Sequence, residues 1–274
     1  MPIFVRNLVL IVLLFSFRPL PAVESEQQAL ADAARLIRKE AGDHRLILIG
    51  ELHGTRQVPE LVAQIVRAYS EQGPVLLGLE IPNAEQEAFE HFLLSDGGTQ
   101  AKSALLSGAF WQVRDMQHDG RRNYAVVELV ETMRRLKSTG RAVDIVLYDG
   151  PSSQTISSME RDKAMADRIR RAFAAMPAGR FVTVSGNVHA MTERPSYAPA
   201  EMQTSMGSYL KDLDPFSVDI SAAVGESWAC MKSCGPIAVH SRAPISQRMN
   251  EGPYNLLVVL PKLTVAHLLG EAAP

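Results

Sequence analysis

The chain shows no marked excess of charge, few cysteines, and no strong linker or low-complexity segment. Its 28 lysines and arginines face 30 aspartates and glutamates, a formal charge of -2. The basic residues are spread along the chain and form no stripe, so the electrostatic footprint of a nucleic-acid binder is missing. Only two cysteines occur, Cys230 and Cys234. Three residues separate them, so no Cys-x-x-Cys redox motif is present. No further ligands adjoin them in sequence, as a two-cysteine metal site would need. At 274 residues, with 46% apolar and 21% charged residues, the composition is that of an ordinary globular protein. With nothing dividing the chain, a single domain is expected over residues 23–274.

The first residues are different in kind. Arg6 supplies a positive start, Leu8 to Phe17 is an apolar run with one serine, and Arg18 closes it before Leu20-Pro21-Ala22. The run is too short for a comfortable membrane span and fits a secretory signal peptide, residues 1–22. An uncleaved N-terminal anchor is the alternative. No cysteine follows the run, which argues against a lipoprotein anchor. Cleavage would remove Arg6 and Arg18, taking basic residues from 28 to 26 and the charge to -4. The mature chain is then expected to be exported, periplasmic or secreted, with no membrane span. In that setting Cys230 and Cys234 are expected to form a local disulfide that holds a turn.

Hydrophobic periodicity gives the order of elements. Glu24 to Ala41 reads as a helix ended by Gly42, followed by a strand at Arg45 to Leu52. Val58, Leu61, Val62, Ile65, Val66 and Tyr69 form an amphipathic helical stripe. Val75 to Pro82 is a second strand, and Glu85 to Leu94 a helix after Asn83. A polar connection runs from Ser95 to Asn123, then a helix from Asn123 to Lys137. A third strand, Ala142 to Tyr148, leads through a loop at Pro151 to Ser157 into a helix over Ser158 to Met176, expected to turn Met159, Met165, Ile169 and Phe173 inward. Phe181 to Val184 is the fourth strand. Beyond it, Met206 to Leu213 reads as a short helix, and Ser217 to Ala223, Pro236 to His240 and Tyr254 to Leu260 as strands. The alternation predicts an α/β domain with a mixed, mostly parallel central sheet flanked by helices.

Polar groups stand at the ends of these buried strands: Glu51 and His53, Glu80, Asp149, and His189. A carboxylate placed after a run of aliphatic residues is costly to bury unless paired, protonated or on a ligand. Ligands of open α/β sheets bind outside the carboxyl ends of the strands. Two of these ends share the pattern Gly-x-x-His: Gly50-Glu51-Leu52-His53 and Gly186-Asn187-Val188-His189. With 18 glycines and 7 histidines, chance alone gives about 0.5 such matches. Position at strand ends is what makes the pair informative. Three arrangements stay open: the histidines share one site, one acts as a ligand alone, or both are structural.

Taken together, Gly50-Glu51-Leu52-His53-Gly54, Leu79-Glu80, Arg161-Asp162-Lys163-Ala164-Met165-Ala166 and Gly186-Asn187-Val188-His189 resemble the superfamily joining erythromycin esterases, ChaN-type haem-binding proteins and Tiki/TraB metalloproteases. The resemblance spans residues 43 to 190 and implies the α/β fold of that superfamily. It also implies a site built from His53, His189, Glu51 and Glu80, with Arg161 and Asp162 beside it. Members differ in chemistry, so fold alone does not select an activity. The chain lacks a large insertion able to enclose a macrolide, and it has no C-terminal transmembrane segment of the Tiki or TraB kind.

The expected function is an exported hydrolase acting on an ester or amide of a small-molecule or peptide substrate. Two imidazoles and two carboxylates suit Zn or Mn, with a spare carboxylate, Glu51 or Glu80, taking a proton from metal-bound water. Without metal, His53 serves as general base. Arg161 or Asp162 would orient the site or offset developing negative charge. The alternative is a non-catalytic haem- or metal-binding protein. Haem would sit by the loop after His189, near Tyr197, Met202, Met206 and Tyr209. The segment from Phe110 to Arg121 offers Trp111, Arg114 and Arg121 as groups to grip a substrate. A solvated loop pinned by one buried tryptophan is the other reading of that segment. His44, His91, His240 and His267 have no converging partners and are expected to be structural or on the surface.

Overall fold

The computed structural model describes residues 25–112, 118–150, 157–176, 178–194, 204–230, 233–241 and 243–270. The expected signal peptide, Arg114, Tyr197 and Met202 lie outside them, as does most of the loop before Ser157. Six strands run parallel at the centre: β1 (Leu46–Glu51), β2 (Val75–Pro82), β3 (Val143–Asp149), β4 (Arg180–Gly186), β5 (Phe216–Cys230) and β8 (Leu256–Leu263). With β7 (Gln247–Arg248) antiparallel at one edge, the order is β3-β2-β4-β1-β5-β8-β7, and β6 (Cys234–Ala238) pairs antiparallel with β5. Parallel strands covered on both faces read as continuous apolar runs. β1 is the clearest case, with all six residues buried.

Helices α1 (Glu26–Ala41), α2 (Gln57–Ser70), α3 (Gln86–Leu93), α4 (Thr99–Leu106) and α5 (Tyr124–Ser138) precede β3 in sequence. The stripes Leu30, Ala33, Ala34 and Ile37 of α1, and Val58, Leu61, Val62, Ile65 and Val66 of α2, join one core with Val130 and Met133 of α5. On the other face, α6 (Ser158–Ala175), the single turn α7 (Asn187–Ala190) and α8 (Met206–Tyr209) pack through Met165, Ile169, Ala190 and Met206 against Leu46, Leu48 and Phe181. Met159 of α6 is 42% exposed, not inward: it precedes the buried stripe that starts at Asp162 and Met165.

Two departures from the sequence pattern matter for the site. The connection between Ser95 and Asn123 contains α4, which buries only Leu105. So narrow an apolar face leaves little periodic signal. β5 extends seven residues beyond Ala223, to Cys230. Its far half leaves the sheet and pairs with β6, and Cys230 is disulfide-bonded to Cys234. Burial there follows no alternation: Ser227 is buried, its neighbours Trp228 and Ala229 are half-buried, and Glu226 and Cys230 are exposed.

Candidate active site

Four chain segments meet at the carboxyl ends of β1, β2, β3 and β4. β1 ends at Glu51, and His53 follows two residues later. Its Nδ1 lies 2.9 Å from Glu51 Oε1. Nδ1–H therefore donates to the carboxylate, which leaves the Nε2 lone pair of the neutral ring free. Glu80 lies two residues before the end of β2 and is 5% exposed. Its Oε2 accepts from the Gly186 N–H at 2.7 Å, and its Oε1 accepts from Arg161 Nη2 at 2.6 Å. β3 ends at Asp149, which accepts both Nε and Nη2 of Arg161 at 2.9 and 2.8 Å. β4 runs into α7, which carries His189.

The start of α6 is set by a capping box. Ser157 Oγ accepts from the Glu160 N–H, and the Glu160 carboxylate accepts from the Ser157 N–H. That start puts Arg161 and Asp162 in the next positions, at the edge of the sheet. Asp162 accepts His189 Nδ1–H at 2.8 Å and the Met206 N–H at 2.7 Å. Arg161 Nη1 donates to His189 Nε2 at 3.0 Å. In the neutral ring these two bonds select the Nδ1–H tautomer, with the remaining lone pair engaged.

Both imidazoles approach Glu80, each Nε2 lying 3.8 Å from one of its oxygens. They also flank Gly186. A methyl there would sit 3.1 Å from His53 Nε2 and 3.5 Å from His189 Cδ2. The two Gly-x-x-His motifs therefore form one site. Arg121 closes it from the loop before α5: Nη1 donates to the Glu80 carbonyl at 2.7 Å and to Asp149 Oδ2 at 2.9 Å, and Nη2 to Asp119 Oδ2 at 2.7 Å. A cavity of about 30 Å³ lies beneath Glu51, His53, Glu80 and Arg121, floored by Leu79, Val126, Leu129 and Val184. This apolar floor lowers the local dielectric and strengthens the charges above it.

Burial alone would lower the His53 pKa. The hydrogen bond to Glu51 and the charges of Glu80 and Glu51 outweigh burial and lift it above the usual 6.5. Burial opposes ionisation of Glu80, yet positive charge at His189, Arg121, His53 and Arg161 holds it well below the usual carboxylate range. The guanidiniums do this at every pH, and the imidazoles add to it when protonated. Asp119 is likewise held at about 2, where Arg121 overcomes burial. Arg121 and Arg161 are in turn raised, their carboxylate partners outweighing burial.

These donors do not fit a resident Zn or Mn ion. A metal ligand needs a free lone pair, and Arg161 occupies that of His189 Nε2. Two fixed guanidiniums already neutralise Glu80 and Asp149. Among the described residues, no three His, Cys, Asp or Glu side chains form a group able to hold a metal. Of the residues expected near a haem, Met206 is fully buried in the core and Tyr209 packs against it. Trp111, expected to grip a substrate, is 4% exposed and packs against Phe89 and Phe110 in the core. Arg121 serves the carboxylates. The sequence pattern passed over Asp119 as a site residue, and the signal that could have found it was its place two residues before Arg121 in a turn.

No known protein-family pattern matches the chain, and no curated protein matches it by sequence. Solved structures do match. A histidine-to-asparagine mutant of the erythromycin esterase EreC, in its open conformation, superposes with a TM-score of 0.63 over 86% of this chain and 95% of that one, at 11% identity. The chain has an erythromycin esterase-like fold. A succinoglycan biosynthesis protein matches with a TM-score of 0.62 over 85% of this chain and 91% of the other, at 8% identity. A Bacillus cereus protein solved by structural genomics gives 0.57 over 90% and 95%, at 10% identity. At such identities the likeness is one of fold, and the chemistry has to be argued from the side chains.

Proposed function

We propose that this protein is a metal-free hydrolase of esters or amides in which His53 is the general base. The observation that carries the reading is the His53–Glu51 pair. Glu51 fixes the ring through Nδ1, and Nε2 is left free beside Glu80 and the open face of Gly186. A water hydrogen-bonded to Nε2 would lose its proton to His53 as it attacks the substrate carbonyl. Glu51 stabilises the imidazolium that forms. Arg161 and Arg121 are fixed, preorganised cations that offset the negative charge gathering on the carbonyl oxygen. His189 and Asp162 hold Arg161 in place, and Glu80 spaces the two imidazoles. The erythromycin esterase-like fold supports a hydrolase in general, without naming its substrate. The apolar N-terminal segment and the disulfide support an exported protein in an oxidising compartment.

The test is hydrolysis of a panel of nitrophenyl esters and anilides by protein freed of metal with a chelator. Activity is expected to survive chelation, and His53→Gln is expected to reduce kcat about 10²- to 10⁴-fold. A rate lost on chelation and restored only by Zn or Mn would contradict the reading, as would full activity in His53→Gln.

A further inference from the structure

The overhanging half of β5 does not belong to the sheet, yet it touches the site. Trp228 lies on it. The Trp228 N–H donates to the His53 carbonyl at 2.9 Å, and the indole Nε1–H donates to the His118 carbonyl. One residue thus grips the backbone that carries the proposed base and also the start of the loop that carries Arg121. The approach is close because two glycines permit it. Gly54, with φ of 70°, would bring a methyl 2.5 Å from Trp228 Cβ, and Gly120, with φ of 89°, would bring one 3.0 Å from the same atom. The two glycines also lie against each other. These are left-handed backbone positions that suit glycine.

What holds Trp228 there is a short two-stranded ribbon. Trp228 pairs with Pro236, and two positions further on Cys230 pairs with Cys234, where the disulfide closes the ribbon. β6 is mostly exposed and buries little of its own. Isolated two-stranded ribbons are marginal in water, so the covalent bond supplies order that packing does not.

We propose that Trp228 is a positioning residue for His53 and Arg121, and that the Cys230–Cys234 disulfide keeps it in place, so that reducing the bond slackens the site. This rests on the hydrolase reading for its catalytic meaning, but the positioning can be read without any substrate. An external dithiol breaks the Cys230–Cys234 bond and leaves two cysteine thiols, while the dithiol is oxidised to its own disulfide. The ribbon then frays, and both backbone segments lose their common anchor. Trp228 touches the backbone of His53, not its ring, so the effect falls on placement.

The experiment is an NMR titration of the His53 ring in the full chain. The resonance is assigned by its loss in His53→Gln. Oxidised wild type, dithiol-reduced wild type, Cys230→Ser with Cys234→Ser, Trp228→Ala and Trp228→Phe are compared, with thermal unfolding of each to confirm the fold. In the reduced protein, the double serine variant and Trp228→Ala, the His53 pKa is expected to fall toward the free value, as the Glu51 bond loosens. Trp228→Phe, which keeps an aromatic ring packed beside Gly54 and Gly120 but loses the indole donor to the His118 carbonyl, is expected to retain most of the wild-type His53 titration. Where an ester is hydrolysed, kcat should drop about tenfold or more with KM little changed, the signature of misplaced groups. An unmoved His53 titration in both reduced protein and Trp228→Ala overturns the proposal. A titration that responds as expected in a protein with no hydrolytic activity overturns the hydrolase reading and leaves the positioning intact.

Discussion

A methyl on Gly50 would come 2.9 Å from the Asn187 Cα and 3.1 Å from the Ala190 Cβ. Gly50 is therefore what lets α7, the turn that carries His189, rest on β1. Gly186 does the converse, since its missing side chain gives the His53 ring its place. Each motif's glycine makes room for the other motif's histidine. The sequence pattern located all four residues but could not pair them this way, because the contacts join chain segments about 135 positions apart in the register of β1 with β4. The two glycines should fail differently. Gly50→Ala presses on backbone, which cannot move aside cheaply, and should lower stability by about 1–3 kcal/mol by chemical denaturation. Gly186→Ala has ordinary backbone angles, φ -50° and ψ 140°, and keeps the N–H bonded to Glu80. It should fold with near wild-type stability and lose activity, because its methyl fills the gap between the imidazoles. Equal stability losses in the two variants would count against this assignment.

At the scale of elements, β5 is where reading and structure part most. Its first half was legible as an apolar strand, since Phe216, Val218, Ile220 and Ala222 are all buried. The second half was not, because its buried positions, Ser227 and the half-buried Trp228, are consecutive and impose no period of two. The Cys230–Cys234 pair was legible from spacing, but not the tryptophan it serves. β5 also carries a titratable group in its middle. Asp219 sits beside Gly50 of β1, and burial raises it to about 6, with only the Asn187 side chain pulling the other way. A carboxyl raised on folding contributes stability that is full below its unfolded pKa and is lost as pH rises through about 6. Asp219→Asn removes this loss. Its melting temperature should match wild type near pH 4 and exceed it at pH 7 by a few degrees, on the order of 1 kcal/mol. A constant difference across that range would mean that Asp219 does not titrate on folding.

For the molecule as a whole, the parallel sheet with helices on both faces followed from the alternation of buried strands and amphipathic helices. The site followed from carboxylates and histidines at strand ends, where burial is costly without partners. The partners themselves were harder to see. Arg121 stood in the sequence as one charge in a polar connection, and only the fold carries it to Glu80 and Asp149. Carboxylates and imidazoles in a bare sequence look like metal ligands, while the same groups tied to two guanidiniums are an ion-pair network with one free imidazole nitrogen. Arg161, expected beside the site, proves to be the link among Glu80, Asp149 and His189.

The central claim, that His53 works as a general base set by Glu51, is tested most directly by the pH dependence of kcat/KM for an ester, measured on chelator-treated wild type and Glu51→Gln. His53 must be neutral to accept a proton, so activity should rise with pH through an apparent pKa above 6.5, the direction in which Glu51 and Glu80 move the ring. Glu51→Gln removes the charge that raises it, so the acid limb should move to lower pH while the maximal rate falls. An acid limb that stays in place in Glu51→Gln, or that persists unchanged in His53→Gln, would contradict the account.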